Sequence, residues 1–190
     1  AVTTLDGAAG KSINVAKVLQ ALGEQPVATG FLGGDRGAEL RAILEARGIE
    51  HEFVTVATRT RQCVTVIDES AGTHTELVEE SRAVEPSAYD QLLAVLGRRL
   101  RGGRALVMSG TITPGGPVDL YRRSTLMAHE AGALSVVDAQ GAALLEALKA
   151  QPGLVKPNRS ELAATVGREL TDEAAVREAM RELSERGTPR

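Results

Sequence analysis

Apolar residues recur along this chain with two alternating periods. Helical spacing, in which positions three and four apart share a face, appears at Val15, Val18, Leu19 and Leu22, and again at Leu40, Ile43 and Leu44. It returns at Tyr89, Leu92, Leu93, Leu96 and Leu100, at Leu144, Leu145 and Leu148, and at Val176, Met180 and Leu183. Between these stretches lie short unbroken apolar runs: Val27 to Phe31, Ala105 to Met108 and Leu134 to Val137. Runs without polar alternation predict strands buried on both faces of a parallel sheet. Strands alternating with helices predict βαβ units, and hence a doubly wound α/β fold with a mostly parallel sheet. Residues 52–80 depart from this rhythm. A β-branched run from Cys63 to Asp68, a turn at Glu69 to Gly72 and an alternating stretch from Thr73 to Glu79 predict an inserted β-hairpin. Such an insertion either covers a site or partner surface or decorates a sheet edge.

Composition adds bounds to this picture. The 190 residues, 43% of them hydrophobic, suit one domain with a packed core. The four aromatics are Phe31, Phe53, Tyr89 and Tyr121, so that core is aliphatic. The net charge of −3 argues against nucleic acid as a partner. No apolar window approaches about 18 residues and no basic-then-apolar leader opens the chain, so no membrane span or secretory targeting is expected. The single cysteine, Cys63, fits a reducing cytoplasm and reads as a packed thiol. The ends read differently. A glycine-bearing loop arrives by Gly7 with no complete strand before it, and Glu-Arg-Gly-Thr-Pro-Arg follows a helical pattern where another strand would start. The chain is expected to be the middle of something longer.

Several segments could carry chemistry. Gly10-Lys11-Ser12 opens a helix but lacks the earlier glycine of a P-loop, since Leu5 stands in its place. Free N–H groups and a cation at a helix start favour an anionic or hydroxyl-rich ligand, whereas Ser12 can equally be a plain N-cap. Phe31 to Gly37 fails the dinucleotide fingerprint in the same way, with Leu32 where the first glycine should be. Arg61 precedes the hairpin and could hold phosphate through its planar fork of donors, or be simply solvated. Ser109-Gly110 and Asp138 follow apolar strands, at the carboxyl ends where open α/β sheets bind ligands. Asp138 can also cap the next helix. In Lys156-Pro157-Asn158-Arg159-Ser160-Glu161, Asn158 and Glu161 have capping-box spacing, while the functional reading puts Lys156 near phosphate and Glu161 near magnesium-bound water. The three histidines, His51, His74 and His129, are scattered and none pairs with Cys63 at zinc-ligand spacing.

Taken in order, four segments resemble the ribokinase-like sugar kinases of the phosphofructokinase-B family. They are Ala9, Gly10, Asn14, Ala16, Gly23 and Gly33; Thr60-Arg61-Gln62; Ser109-Gly110 with Pro114-Gly115; and Val155-Lys156-Pro157-Asn158 through Glu161-Leu162. The branch resembled is that of fructose-1-phosphate kinase, tagatose-6-phosphate kinase and the minor 6-phosphofructokinase. The resemblance implies a partial ribokinase-like domain over residues 1–190 with residues 52–80 as a β-lid. It implies ATP-dependent phosphorylation of a sugar phosphate with Mg2+, in the cytoplasm, with the lid serving as a homodimer clasp. Gly10, Lys11, Asn14, Arg61, Ser109 and Gly110 then fall on the sugar-phosphate side. Asp138, Lys156, Asn158 and Glu161 fall on the side of ATP phosphates and magnesium. There are two departures. Ser12 stands where relatives carry glycine, and the Gly-Ala-Gly-Asp segment holding the anion hole and the general-base aspartate is absent. That base is expected beyond Arg190, and these residues alone are expected to turn over little or not at all. The alternative is a non-catalytic sugar-phosphate-binding domain on the same fold.

Overall fold

In chain order the elements are α1 (Lys11–Ala21), β1 (Val27–Ala28), β2 (Phe31–Leu32), α2 (Gly34–Ala46), β3 (Glu50–His51) and β4 (Val54–Thr55). A hairpin of β5 (Cys63–Asp68) and β6 (Thr73–Val78) follows, then α3 (Pro86–Arg99) and β7 (Ala105–Ser109). The chain continues through α4 (Leu120–Glu130), β8 (Leu134–Asp138), α5 (Gly141–Leu148), β9 (Leu154–Val155), α6 (Arg159–Val166) and α7 (Glu173–Glu185). These elements come from a computed structural model, which describes residues 3–187.

The architecture is α/β. Strands β7, β8 and β9 form a parallel sheet in that order, with α4 and α5 as the crossovers. Upstream, β1 pairs with β3 and β2 with β4, also in parallel. The single strand predicted from Val27 to Phe31 is thus two two-residue ladders. The break falls at Gly30, whose φ of 146° leaves the strand region, and at Thr29, whose hydroxyl donates to the Glu52 carbonyl at 2.7 Å. Pairing resumes at the same offset, since Val54 N–H donates to the Gly30 carbonyl at 2.9 Å.

Two other expectations need correcting. Burial on both faces holds for most of β8 but less for β7, and the register partners Ala105 and Leu134, at the amino ends of the two strands, are both exposed. Cys63 is exposed rather than packed, because no other element among the described residues covers its strand. Helix α4 had no periodic signature, since Ser124 and Thr125 fill buried positions on its inner face.

The core is aliphatic, as the aromatic shortage requires. Val137 of β8 and Leu144 and Leu148 of α5 are sealed from solvent, packed with Leu96, Leu162 and Leu183 from α3, α6 and α7. Burying each such leucine is worth about 1.5–3 kcal/mol. A second cluster joins Ile13 and Ala16 of α1 to Ala28, Leu44 and Ile49, which fixes where the start of α1 sits.

The hairpin is a different object. All residues of β5 and β6 are exposed, and neither face packs broadly against another element among the described residues. Val64 pairs with Leu77 across the strands and shares a face with Val66, so an apolar stripe stands in solvent. Its tip is closed by Asp68, whose Oδ1 accepts the N–H groups of Ser70 and Ala71. No helix among the described residues is long and apolar enough to cross a membrane.

Candidate functional site

The carboxyl ends of β7, β8 and β9 meet the start of α1. Ser109 and Asp138 are register partners at the ends of β7 and β8. The Ser109 hydroxyl donates to Asp138 Oδ2 at 3.0 Å. Lys11, in the first turn of α1, reaches across to place Nζ 3.3 Å from Asp138 Oδ1 and 2.5 Å from Glu161 Oε1. Lys156 follows β9 directly and brings its Nζ to 3.4 Å from Asp138 Oδ1. Two ammonium groups therefore balance two carboxylates. The carboxylate side chains are nearly buried, at 10% and 12% exposure, whereas Lys11 is 43% and Lys156 64% exposed.

Local sequence explains why each group stands there. Glu161 is held by the capping box predicted from its spacing. Asn158 Oδ1 accepts the Glu161 N–H, and Glu161 Oε2 accepts the Asn158 N–H, both at 2.8 Å. Asn158→Ala removes the cap and is expected to cost about 0.5–2 kcal/mol, read as a lowered urea midpoint. Asp138 does not cap the following helix. Gln140 holds that position without a side-chain bond, so the Asp138 carboxylate is free to take its ligands from three other segments. Ser12 is not an N-cap either; Gly10 is, and the Ser12 hydroxyl instead donates to the Ser109 carbonyl at 2.8 Å.

Burial pushes the carboxyl of Asp138 up. The Ser109 hydroxyl and the two ammonium groups outweigh it and hold the group below its usual value. For Glu161 burial acts in the same sense and is overcome by Lys11 and the Asn158 N–H. The Lys11 ammonium is raised, chiefly by its bond to Glu161, so it stays charged at neutral pH.

The segment after β7 forms one wall of a cavity of about 230 Å3, with Ala139, Gln140 and Ala143 opposite Gly110, Ile112 and Thr113. Gly110 N–H donates to the Asp138 carbonyl at 3.2 Å, and its own carbonyl accepts the Tyr121 hydroxyl at 3.0 Å. Burial and the charge of Asp138 push that phenol up to about 12, so it remains a donor. Tyr89 binds Thr113 on the same segment. The spacing marked Tyr89 only as a position on a helical apolar face and Tyr121 not at all, because both reach this segment from helices, α3 and α4.

The structure brings Lys11, Ser109, Gly110, Asp138, Lys156, Asn158 and Glu161 together. Asn14 is exposed on the first turn of α1, with its N–H bonded to the Gly10 carbonyl. Arg61 is exposed on the strap leading to the hairpin, and no hydrogen bond or ion pair joins it to the Asp138 cluster among the described residues. The strap itself is anchored. Thr60 and Gly33 exchange bonds of 2.9 and 3.0 Å, Arg59 forks onto Asp35, and Arg36 meets Glu79 at 2.6 Å. Lys11, grouped with the sugar-side residues by sequence, has its ammonium on the carboxylates grouped with nucleotide and magnesium.

Magnesium takes one or two carboxylates and keeps several waters. Asp138 Oδ1 and Glu161 Oε1 converge on one ammonium nitrogen, so a single small cation can reach both, and the donor set fits.

Cationic and carboxylate groups are thus gathered at the carboxyl ends of parallel strands, where open α/β sheets bind ligands. The chain belongs to the pfkB family of carbohydrate kinases, whose model matches residues 3–190. It is 31% identical over 168 residues to tagatose-6-phosphate kinase from Staphylococcus epidermidis, an alignment covering 87% of this chain and 54% of that protein. Phosphofructokinase-2 from Escherichia coli, in a tetrameric inhibited form, superposes with a TM-score of 0.83 at 32% identity, over 92% of this chain and 58% of that one. A possible 1-phosphofructokinase from Thermotoga maritima gives a TM-score of 0.82 at 28% identity, over 92% and 56%. The chain thus spans about half the length of the curated relatives it matches. The fold is the ribokinase-like one of these neighbours, as the four sequence segments implied.

Proposed function

We propose that this chain is the central part of an ATP-dependent kinase that phosphorylates a phosphorylated ketohexose: fructose 1-phosphate, fructose 6-phosphate or tagatose 6-phosphate. The observation that carries this reading is the Lys11–Asp138–Lys156–Glu161 cluster at the carboxyl ends of β8 and β9, beside the segment after β7. The acceptor hydroxyl attacks the γ-phosphate of ATP in line, and Lys156 would offset developing charge on the phosphates. Asp138 and Glu161 are the residues that would hold magnesium, which would supply further charge neutralisation to the transferring group. Ser109 and Gly110 line the acceptor side, with Gly10 and Asn14 at the start of α1. Arg61 grips the sugar's own phosphate when the hairpin folds over, which excludes water.

The general base belongs to the Gly-Ala-Gly-Asp segment expected beyond Arg190, so these residues alone bind without efficient turnover. The apolar stripe of Val64, Val66 and Leu77 would pair with a second copy, giving a homodimer through the lid. Working in the cytoplasm, such an enzyme needs no membrane or nucleic-acid partner.

Calorimetry with each of the three sugar phosphates, alongside an ADP-release assay, tests this reading. Arg61→Ala is expected to weaken sugar-phosphate binding by about 10–100-fold, the equivalent of one or two charge-assisted bonds, and to leave ATP binding intact. Unchanged affinity removes Arg61 from the site. Rapid ADP release by the 190-residue chain would refute the placement of the base.

A further inference from the structure

We propose that Lys11 is a resident counter-cation, whose ammonium fills the position a divalent metal would take between Asp138 and Glu161, so that lysine pairing and metal binding exclude each other. The inference rests on the reading that this site takes a divalent cation, and it concerns a residue grouped by sequence with the sugar.

The oxygen inventory carries the argument. Each carboxylate has one oxygen committed to its own scaffold: Asp138 Oδ2 accepts the Ser109 hydroxyl, and Glu161 Oε2 accepts the Asn158 N–H. The remaining oxygens, Asp138 Oδ1 and Glu161 Oε1, meet on the Lys11 nitrogen at 3.3 and 2.5 Å. Lys156 approaches Asp138 Oδ1 alone, so Lys11 is the cation that bridges the pair. Without it, two largely buried like charges would face each other, at the cost that repulsion and desolvation impose. Lys11 meets that need from a separate element, 127 and 150 residues away in sequence. Its side chain is 43% exposed and attached to the first turn of a helix, so it can swing out without unfolding anything. The two oxygens that Lys11 uses are the ones that would hold a metal, so Lys11 would have to swing into solvent before one could bind.

A self-paired site lowers apparent metal affinity by the fraction of time it is paired. With pairing populated about nine parts in ten, the penalty is about tenfold. Mn2+ titrated into the protein without nucleotide, followed by the loss of its free electron-paramagnetic signal, reads this directly. Lys11→Met is expected to bind Mn2+ about tenfold more tightly than the wild type, and Lys11→Gln likewise. Lys11→Arg should stay near the wild type, and adding Glu161→Gln to Lys11→Met should abolish the gain. Circular dichroism on each variant confirms that the fold persists. Equal or weaker Mn2+ binding by Lys11→Met and Lys11→Gln overturns the exclusion while leaving a metal site in place. Absence of Mn2+ binding in every variant overturns both the exclusion and the metal reading. ATP or sugar-phosphate binding in the wild type, measured separately, shows whether the kinase assignment stands apart from either result.

Discussion

Valine at Gly33 is expected to destabilise the protein by about 3 kcal/mol or more, at or beyond the upper end of usual overpacking costs. Gly33 is buried between β2 and α2 with an extended backbone at φ −149°, so its chirality is not the constraint. The constraint is proximity: a Cβ there would press on the carbonyl oxygens of Val56 and Thr58. Those are main-chain atoms, and the strap they belong to is pinned by Val56 N–H to the Leu32 carbonyl at 3.0 Å and Thr60 N–H to the Gly33 carbonyl at 2.9 Å. Nothing flexible is available to move aside. Gly7→Ala serves as the control, because open space surrounds that position, and its effect should stay within about 0.5 kcal/mol. Urea unfolding of both variants measures the difference, and equal midpoints would mean that the strap does not cross Gly33 as described. Under the proposed function, in which Arg61 on the same strap grips the sugar's phosphate, Gly33→Val should also lose sugar-phosphate affinity.

Asp138→Asn is the second large effect. The substitution keeps the size of the side chain but removes the charge that receives Ser109 and two ammonium groups. Hydrogen bonds to charged groups are worth about 1.5–3 kcal/mol, and the exposure of both lysines keeps the expected loss near the lower figure. The pH dependence follows from the directions of the shifts. Asp138 and Glu161 are both held below their usual values, so their contribution is complete above about pH 5 and is lost as pH falls through the depressed values. Lys11 is raised above 10.5, so its contribution is complete at neutral pH and is lost in strong alkali. Urea midpoints from about pH 7 down to pH 3 should fall in the wild type and fall less steeply in Asp138→Asn. Identical acid limbs in the two proteins would show that Asp138 is not ionically paired in solution.

How far the sequence carried depended on the range of the interaction. The capping box at Asn158 and Glu161 is a contact over three residues, and the spacing alone located it. The hairpin was equally legible, because β-branched runs and the Asp68 turn are local signals. The parallel strands β7 and β8 showed as apolar runs, but their register, with Ser109 opposite Asp138, is a tertiary fact. Helix α4 stayed hidden because, beyond Leu120 and Tyr121 in its first turn, its inner face uses Ser124, Thr125 and Ala128. Strands β3 and β4 are two residues each, too short for any period to register. Among the candidate site residues, Asp138 was singled out by its place at a strand end and Lys156 by the segment that runs into the capping box. The bridging role of Lys11 was not visible, because its two partners lie on the far side of the chain. Ser12 stood out as a departure from the family pattern, yet only the fold shows that its hydroxyl ties α1 to the end of β7.

The uncovered hairpin gives this protein two separate stabilities. A two-stranded ribbon without a packed face is barely stable by itself, and this one is tied to the body at its base by Arg36–Glu79 and the strap beside it. Its amide protons should therefore exchange through local opening, far faster than those of β8, whose exchange requires opening the core. A melting curve follows the core and is nearly blind to the hairpin. A ligand that does nothing but order the hairpin would leave the melting temperature almost where it was, while slowing amide exchange across residues 63–78.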